Sequence, residues 1–292
     1  MKNKKLKSFV FPGFVFSIFL LSVPYSAASD SPSYLFNTYL QSRYVTESDV
    51  NASSGKLQVN ESDFNFTFED KISGQLPLTL SFAYRHVDID ESVAVELPAH
   101  LEGRRLGVGT KFPVPFVDAE NYYLGIDVFP SMYTDDWKWE NSAFRMPFRT
   151  YLIYKESDDF ILVAGVSVRI DYDETILPVI GFKYVASDQL TFNFISDHPH
   201  VAYKIDDRLT ALWEVDFIRD EYEVTRGSDK NVILKYRSFS TGAGLKYAID
   251  DQMEISGTVG GVFGRRVEYE DDRGKVEPDA GLYTQIKVAF KF

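Results

Sequence analysis

Apolar and polar residues alternate along most of the chain after residue 33, and the pattern is clearest in its last eleven residues. A period of two is typical of a β-strand with one apolar and one polar face. The segment therefore predicts a strand. Its apolar parity holds Leu282, Thr284, Ile286, Val288, Phe290 and Phe292, and its polar parity holds Tyr283, Gln285, Lys287, Ala289 and Lys291.

This segment is also about as long as a tilted strand needs to be to cross a membrane, ~9–11 residues. It ends in an aromatic residue on the apolar face, and in this it resembles the closing strand of bacterial outer-membrane β-barrels. The resemblance implies that the apolar positions act as an assembly signal read by the barrel-assembly machinery. Those positions are Ile286, Val288, Phe290 and Phe292.

The rest of the chain repeats one unit, an alternating segment followed by a polar break, without a domain-scale linker. The polar breaks fall alternately into two sets, one for each end of the predicted strands. Those of one set are short, and most of the other set are longer and acidic, at residues 46–55, 88–103, 134–142, 219–230 and 269–279. Short turns at one end and long loops at the other are typical of outer-membrane barrels. We predict an all-β fold, a transmembrane antiparallel up-and-down β-barrel. It has fourteen strands, or twelve if the short segments 190–195 and 201–205 stay off the wall.

The amino-terminal residues have the pattern of a secretory signal peptide. Lys2, Lys4, Lys5 and Lys7 precede an apolar stretch at 9–23, and small residues follow at 26–28. The stretch is shorter than the ~20 residues that a spanning helix needs. We expect cleavage after Ala28, which leaves residues 29–292 as one barrel domain. The expected location is the outer membrane of a Gram-negative bacterium, reached by the general secretory route.

Composition supports an exported barrel. The chain has no cysteine, so no disulfide can stabilise it, and aromatic residues make up 15% of it. Aromatic girdles at both membrane interfaces would account for that share. Removing residues 1–28 takes away four lysines and no acid, so the net charge falls from −12 to −16. Nucleic acid is therefore excluded as a partner, and the expected contacts are outer-membrane lipid and lipopolysaccharide.

Charged side chains share the parity that faces the lumen. An arginine or lysine facing lipid would cost about 2–4 kcal/mol near the bilayer centre, so this parity is forced by the fold. Rings of charge also select ions in pores, which makes these residues candidate pore-lining groups. The candidates are Arg43, Arg85, Arg105, Lys111, Asp127, Arg145, Arg149, Arg169, Lys183, Arg208, Glu214, Asp216, Lys246, Glu254 and Lys287.

Inward glycines leave open whether the lumen is empty. They remove side-chain volume from it, or they make room for inward tyrosine rings that fill it. The glycines concerned are Gly107, Gly109, Gly125, Gly165, Gly181, Gly242 and Gly244.

No catalytic constellation is recognisable. The His-x-Ser-Asn run of outer-membrane phospholipases, the His-x-Ser of deacylases and the Asp-x-His of omptin-like proteases are absent. We therefore predict that the protein is not an enzyme and carries no cofactor. His198 and His200 have a spacing that a metal could use, but the sequence offers no third ligand. The acidic loops could hold Ca²⁺ or Mg²⁺, although a solvated surface explains them better.

Three stretches resemble a family of uncharacterised bacterial outer-membrane barrels. They are Arg237-Ser-Phe-Ser-Thr-Gly-Ala-Gly-Leu-Lys-Tyr247, Gly257-Thr-Val-Gly-Gly-Val-Phe-Gly-Arg-Arg266 and His198-Pro-His-Val-Ala-Tyr203. The resemblance implies a fold and a compartment, and no activity.

Two functions remain open on these grounds. The first is a narrow porin-like channel for small hydrophilic solutes, with a mild preference for small anionic solutes because inward basic residues outnumber inward acids. The alternative is a closed structural or interaction barrel whose acidic extracellular loops bind a partner. An outer-membrane hydrolase is a weaker third reading.

Overall fold

The structure is a computed structural model that describes residues 35–50, 55–72, 76–114, 121–138, 141–170, 172–195, 198–270 and 274–292. The predicted signal peptide lies outside these residues. Within the described ranges, no helix has the length and apolar character required to span a bilayer.

The described chain consists of strands, which pair antiparallel apart from one parallel bridge, and one short 3-10 helix, Asn141–Ala143. In chain order the strands are β1 Leu35–Asp49, β2 Lys56–Ile72, β3 Leu76–Glu91, β4 His100–Pro113, β5 Tyr122–Val128, β6 Ser131–Thr134, β7 Phe144–Arg145, β8 Phe148–Lys155, β9 Phe160–Val168, β10 Ile176–Val185, β11 Leu190–Asn193, β12 His200–Lys204, β13 Leu209–Arg226, β14 Asp229–Ala248, β15 Met253–Tyr269, β16 Lys275–Val276 and β17 Gly281–Lys291.

These strands close into a ring of 14. Strand β1 pairs with β2 on one side and with β17 on the other, so the sheet has no free edge there. The pairs β5/β6 and β7/β8 each form one wall position with a short interruption, and β16 pairs only with β15. The predicted count of fourteen is confirmed, because β11 and β12 both lie in the wall.

One face of the wall is apolar and points out of the ring. On β10 the side chains of Ile176, Ile180 and Phe182 are exposed, and Ile180 reaches 81%. On β17, Leu282 and Ile286 are more than 60% exposed. Large exposed apolar surface around a closed sheet is the arrangement of a transmembrane β-barrel.

Aromatic residues border this apolar belt at two levels. At the end where β1 begins and β17 ends, which we call the terminal end, they are Tyr122, Tyr154, Phe160, Tyr184, Phe192, Tyr203 and Tyr247. Towards the opposite, distal end, the rings of Phe217 and Phe239 lie 4.9 Å apart, and those of Phe239 and Phe263 lie 6.2 Å apart. Such girdles sit at the two membrane–water interfaces.

An arginine in the middle of this belt should destabilise the barrel. Val259 on β15 is 62% exposed between the two girdles, so Val259→Arg places a charge in the apolar belt. We expect a loss of about 2–4 kcal/mol in the free energy of unfolding. Equilibrium unfolding in phospholipid vesicles measures it, with Gln252→Arg, in an exposed turn, as the matched control. Equal losses in the two variants would contradict the lipid-facing orientation of Val259.

Beyond the distal girdle the pattern inverts, with apolar residues inside and charges outside. On β13 the inward residues Tyr222 and Val224 are no more than 1% exposed, while Arg219 on the outer face is exposed. The inward apolar residues of the tall strands β1–β4 and β13–β15 form a distal core. Its members include Val45, Leu57, Val59, Val87, Leu101, Ile218, Leu234, Tyr236, Val267 and Tyr269.

The prediction of a loop at residues 219–230 is therefore wrong. Strand β13 continues to Arg226 and β14 begins at Asp229, so the two strands are joined by a tight turn with Gly227 at φ 59°. The charges that suggested a loop lie on the water-facing side of strands whose other side is buried. Strand β1 likewise extends into the predicted loop at 46–55, as far as Asp49, whereas β2 begins directly after it at Lys56.

The distal core is enclosed by a smaller ring. Strand β6 pairs with β4 on one side and meets β13 on the other through a parallel bridge between Thr134 and Glu223. The short strands β8–β12 are left out of this smaller ring. The distal end of the lumen is thus filled with apolar side chains.

A β-bulge marks the change from one pattern to the other. On β15 the two residues Gly264 and Arg265 lie opposite Ser238, and Gly264 has a φ of 54°. A glycine adopts this left-handed conformation at little cost. The extra residue changes which parity faces inward, so that Val262 below the bulge and Val267 above it are both buried.

One inward glycine permits a close approach between strands. A Cβ on Gly260 would lie 2.2 Å from the carbonyl oxygen of Thr241, which is backbone and cannot move aside. We expect Gly260→Val to lower the free energy of unfolding by about 1–3 kcal/mol, the usual cost of overpacking. The matched control is Gly257→Val on the same strand, where the nearest atom is 4.0 Å away. Equilibrium unfolding in detergent compares the two variants. An equal loss of free energy of unfolding in both would contradict the close approach at Gly260.

Candidate functional site: a charged layer across the lumen

A layer of paired charges crosses the lumen directly beneath the distal core. We call it the charged layer and define it as Arg43, Glu61, Asp63, Arg85, Asp216 and Asp220. Its members come from β1, β2, β3 and β13, and all point into the ring. The contacts between β13 and the first three strands therefore span the lumen itself.

Arg43 is the most completely buried cation of this layer, with 4% of its surface exposed. Its guanidinium lies 3.3 Å from a carboxylate oxygen of Glu61 on the neighbouring strand and 3.0 Å from Asp216 on β13. Its Nε donates to Gln285 Oε1 at 2.9 Å. Three strands separate β1 from β13 around the ring, so the bond to Asp216 joins two different walls.

Arg85 makes a second bridge. Its Nε lies 2.6 Å from Asp63 on β2, and its Nη1 lies 3.0 Å from Asp220 on β13. Strands β3 and β13 are almost opposite each other in the ring. This ion pair therefore crosses the lumen between near-opposite walls.

Tyrosine and arginine side chains connect the charged layer to the distal core. The hydroxyl of Tyr236 on β14 donates to Glu61 Oε1 at 2.8 Å, again across the lumen. Arg265, which follows the bulge, is 1% exposed and donates to Ser48 Oγ at 2.8 Å. Its Nε and Nη1 have no hydrogen-bond partner within the described part of the chain. Arg265 thus places a buried and only partly satisfied guanidinium outside the charged layer.

Two small cavities lie on the terminal side of the charged layer. The upper cavity, of about 10 Å³, is bounded by Arg43, Asp216 and His198, and the lower cavity, of about 80 Å³, by Lys246 and Glu254. Glu214 and Lys287 line both. The Nε2 of His198 lies 2.9 Å from the hydroxyl of Tyr39 on β1. This contact also reaches across the lumen, from the β11–β12 connection.

The other wall of the lumen has its own polar cluster. A carboxylate oxygen of Asp127 lies 2.9 Å from Nη2 of Arg149, and the Arg149 guanidinium lies 4.6 Å from the centre of the Phe129 ring. The guanidinium of Arg105 lies 5.4 Å from the same ring. Both cations thus lie within cation–π distance of the Phe129 ring.

Several inward glycines are covered by aromatic rings. A Cβ on Gly125 would lie 2.4 Å from the Tyr151 ring, and one on Gly242 would lie 2.3 Å from the hydroxyl of Tyr283. At these two positions tyrosine rings fill the space beside the glycines, which is one of the two alternatives that the sequence left open. Gly109 is different, because the Asp127 carboxylate takes the space.

The predicted pore-lining residues fall into separate groups. Arg43, Glu214, Asp216, Lys246, Glu254 and Lys287 meet around the two cavities, and Arg85 joins the charged layer. Arg105, Asp127 and Arg149 form the second cluster. The remaining five predicted residues lie in neither place. Lys111 is exposed near the terminal end, Arg208 is exposed in the β12–β13 turn, and Lys183 donates to the Asp158 carbonyl oxygen. Arg145 donates to the carbonyl oxygens of Ser142 and Phe144, and Arg169 stacks on Tyr172 near the distal end.

Members of the charged layer that sequence reasoning did not select as pore-lining are Glu61, Asp63 and Asp220. Asp220 falls in the segment that was predicted as a loop. Its parity was nevertheless informative, since Glu214, Asp216, Ile218 and Asp220 alternate without a break and all face inward. Extending the strand on parity alone would have found it.

A separate polar cluster lies on the outer face of the distal half. Nδ1 of His86 lies 2.7 Å from Glu102, and Nε2 lies 3.0 Å from Asp88. The hydrogen bond to Glu102 raises the pKa of His86 above its ordinary value, against the opposing effect of partial burial. The histidines with metal-like spacing are elsewhere: His200 Nδ1 contacts the His198 carbonyl oxygen at 2.8 Å. Among the described residues no three acidic or histidine side chains are grouped as metal ligands.

A comparison with known protein families identifies the family of this chain. A family model described as a domain of unknown function, DUF6268, matches residues 37–276. The chain belongs to this family. The match covers β1 to β16 and the whole charged layer. It omits β17, which contributes Tyr283, Gln285, Lys287 and Ala289 to the cavities. No curated protein matches the sequence.

Solved structures with a similar fold include outer-membrane channels. One is an outer-membrane channel from Pseudomonas putida F1, with 11% identity and a TM-score of 0.47, covering 91% of this chain and 97% of that one. Another is a Pseudomonas aeruginosa FadL homologue, with 10% identity, a TM-score of 0.46 and 89% coverage of both chains. A third is the KdgM porin in complex with disordered oligogalacturonate, with 8% identity, a TM-score of 0.35, and coverage of 87% and 99%.

Proposed function

We propose that the protein is a narrow outer-membrane channel that is closed at rest. Small hydrophilic solutes enter the lumen at the terminal end, and they pass when the ion pairs of the charged layer separate and the distal core beyond them moves aside. In this proposal residues 1–28 direct export, β17 is read by the assembly machinery, and the distal end faces the cell exterior.

The single observation that supports this proposal is the chemistry of the layer that closes the lumen. Burying an ion pair removes two charges from water, and replacing it with well-packed apolar residues is often neutral or stabilising. The distal core shows that this chain can fill its ring with apolar side chains. A permanent seal would need no ionised layer beneath such a core. Paired charges, by contrast, become hydrated when they separate, which suits a barrier that opens.

Part of the charged layer is accessible to water. The side chains of Arg85 and Asp220 are 22% and 21% exposed, and that of Arg149 is 33% exposed. The short strands β8–β10 contribute Gly165 and Gly181 to this side of the lumen. A solute coming from the terminal end would therefore meet the charged layer before any apolar residue of the distal core.

Planar-bilayer recordings on the purified protein test the proposal. We expect brief, small current steps for the wild type. The triple variant Arg85→Ser, Asp63→Asn, Asp220→Asn removes the bridge without leaving an unpaired charge, and it should raise the open fraction at least about tenfold. The control is Arg219→Ser with Glu174→Gln, which removes a 2.7 Å pair on the outer surface. Absence of steps in wild type and triple variant alike would refute a channel.

The second candidate is a closed interaction barrel, and the distal core favours it. That core makes the distal half resemble a soluble β-barrel, with charged residues such as Arg219 and Arg266 on its surface. Silent recordings from the triple variant, together with an intact fold, would support this candidate.

A further inference from the structure

We infer that the lower cavity is a binding site for small monocarboxylates, held between Lys246 and Lys287. This inference rests on the proposed channel function, because the site would hold a solute on its way to the charged layer. It names the chemical class of that solute.

The site is built on a row of three residues on adjacent strands. Lys246 of β14 is paired in register with Ser256 of β15, and Ser256 is paired in register with Lys287 of β17. Neighbouring strands lie ~4.8 Å apart, so the two lysine backbones are about 10 Å apart with the serine between them. All three line the lower cavity. A carboxylate over Ser256 would have an ammonium group on each side and a hydroxyl donor beneath it.

Lys287 lacks a carboxylate partner. Its Nζ lies 4.2 Å from the centre of the Tyr39 ring, and no described acidic residue forms an ion pair with it. The ring face attracts a cation but does not neutralise it. A partly buried cation in this state is costly unless an anion joins it. Lys246 is less free, since its Nζ lies 3.5 Å from Glu254.

Two carboxylates restrict which anions fit. Glu254 and Glu214 both line the lower cavity, and Glu214 accepts a hydrogen bond from Thr258 at 3.0 Å. The two lysines and two glutamates leave the cavity nearly neutral. One added negative charge can be balanced by Lys287, whereas a dianion would be repelled by the glutamates.

The remaining lining and the volume favour a short organic acid. Leu212 and Ala289 supply apolar surface, and the cavity holds about 80 Å³. This is room for a few non-hydrogen atoms, because a single water needs roughly 10–15 Å³ of such volume. An acid of two to four carbons fits these limits, with its carboxylate on the lysine row and its short chain on the apolar side.

Isothermal titration of the purified full-length protein in detergent tests the site, with sodium propionate and sodium sulfate as probes at constant ionic strength. We expect a millimolar dissociation constant for propionate and at least about tenfold weaker binding of sulfate. Lys287→Met should weaken propionate binding at least about tenfold, and Ser256→Ala about threefold. Lys111→Met, which removes another lysine near the terminal end, should leave it unchanged.

The outcomes separate this inference from the proposed function. Equal binding of propionate by wild type and Lys287→Met, or sulfate binding as tight as propionate, would overturn the site. If Lys287→Met does not fold, Ser256→Ala and the sulfate comparison decide in the same way. Propionate binding without any conductance would leave the site standing and refute the channel. Conductance without propionate binding would refute the site and leave the channel standing.

Discussion

Arg43→Met is expected to lower the free energy of unfolding by about 3–5 kcal/mol. The methionine keeps much of the side-chain volume but leaves Glu61, which is 2% exposed, without its arginine, and it leaves Asp216 without the guanidinium that lies 3.0 Å away. Removing one member of a buried ion pair is strongly destabilising, since the remaining charge stays buried and uncompensated. Guanidinium unfolding in detergent, followed by tryptophan fluorescence, measures the loss.

A matched variant separates burial from charge. Lys56 and Glu47 form an ion pair on the exposed surface of the distal half, with more than half of each side chain accessible. Lys56→Met should cost no more than about 1 kcal/mol, because exposed ion pairs contribute little. If Arg43→Met were as mild as Lys56→Met, the charged layer would not be a buried network.

Leu234→Ala is expected to cost about 2–5 kcal/mol. Leu234 on β14 is fully buried in the distal core, so shortening it removes apolar contacts and leaves a cavity. The control is Ile233→Ala, on the outer face of the same strand, where the side chain is only partly buried. We expect less than half the loss there. The same unfolding assay compares the two, and a greater loss for Ile233→Ala would place the core on the wrong side of the strand.

The terminal half of the fold could be predicted because one rule governs it. On β17 apolar residues face outward and most inward residues are polar, and the strand shows this within eleven residues. Turn lengths then gave the number of strands. These signals are local, so they can be read without knowing which strands meet across the ring.

The distal half was missed because the same rule is reversed there. Tyr222, Val224, Val232 and Leu234 alternate as regularly as any lipid-facing residues, but their partners are charges that face water. With a single inside–outside rule, the segment between Arg219 and Lys230 looks like a polar loop. The bulge at Gly264 adds a change of parity that no count of alternating residues reveals.

The charged layer could be predicted only in part. Parity gave the inward orientation of Arg43, Arg85 and Asp216. It could not show that Arg85 reaches Asp220, because that contact joins strands 135 residues apart in sequence. Such contacts depend on the width of the ring and on the heights of individual strands, which are set by pairing registers around the whole barrel.

The bulge at Gly264 has a consequence for how deeply the protein sits in its membrane. It lies one residue beyond Phe263, the last outward aromatic of β15, and the outward side chains after it are Arg266 and Glu268. A single left-handed residue therefore separates the oil-facing length of this strand from its water-facing length. The vertical position of the molecule is encoded in the backbone as well as in its side chains, and a shift of that glycine along β15 would raise or lower the barrel relative to the lipid headgroups.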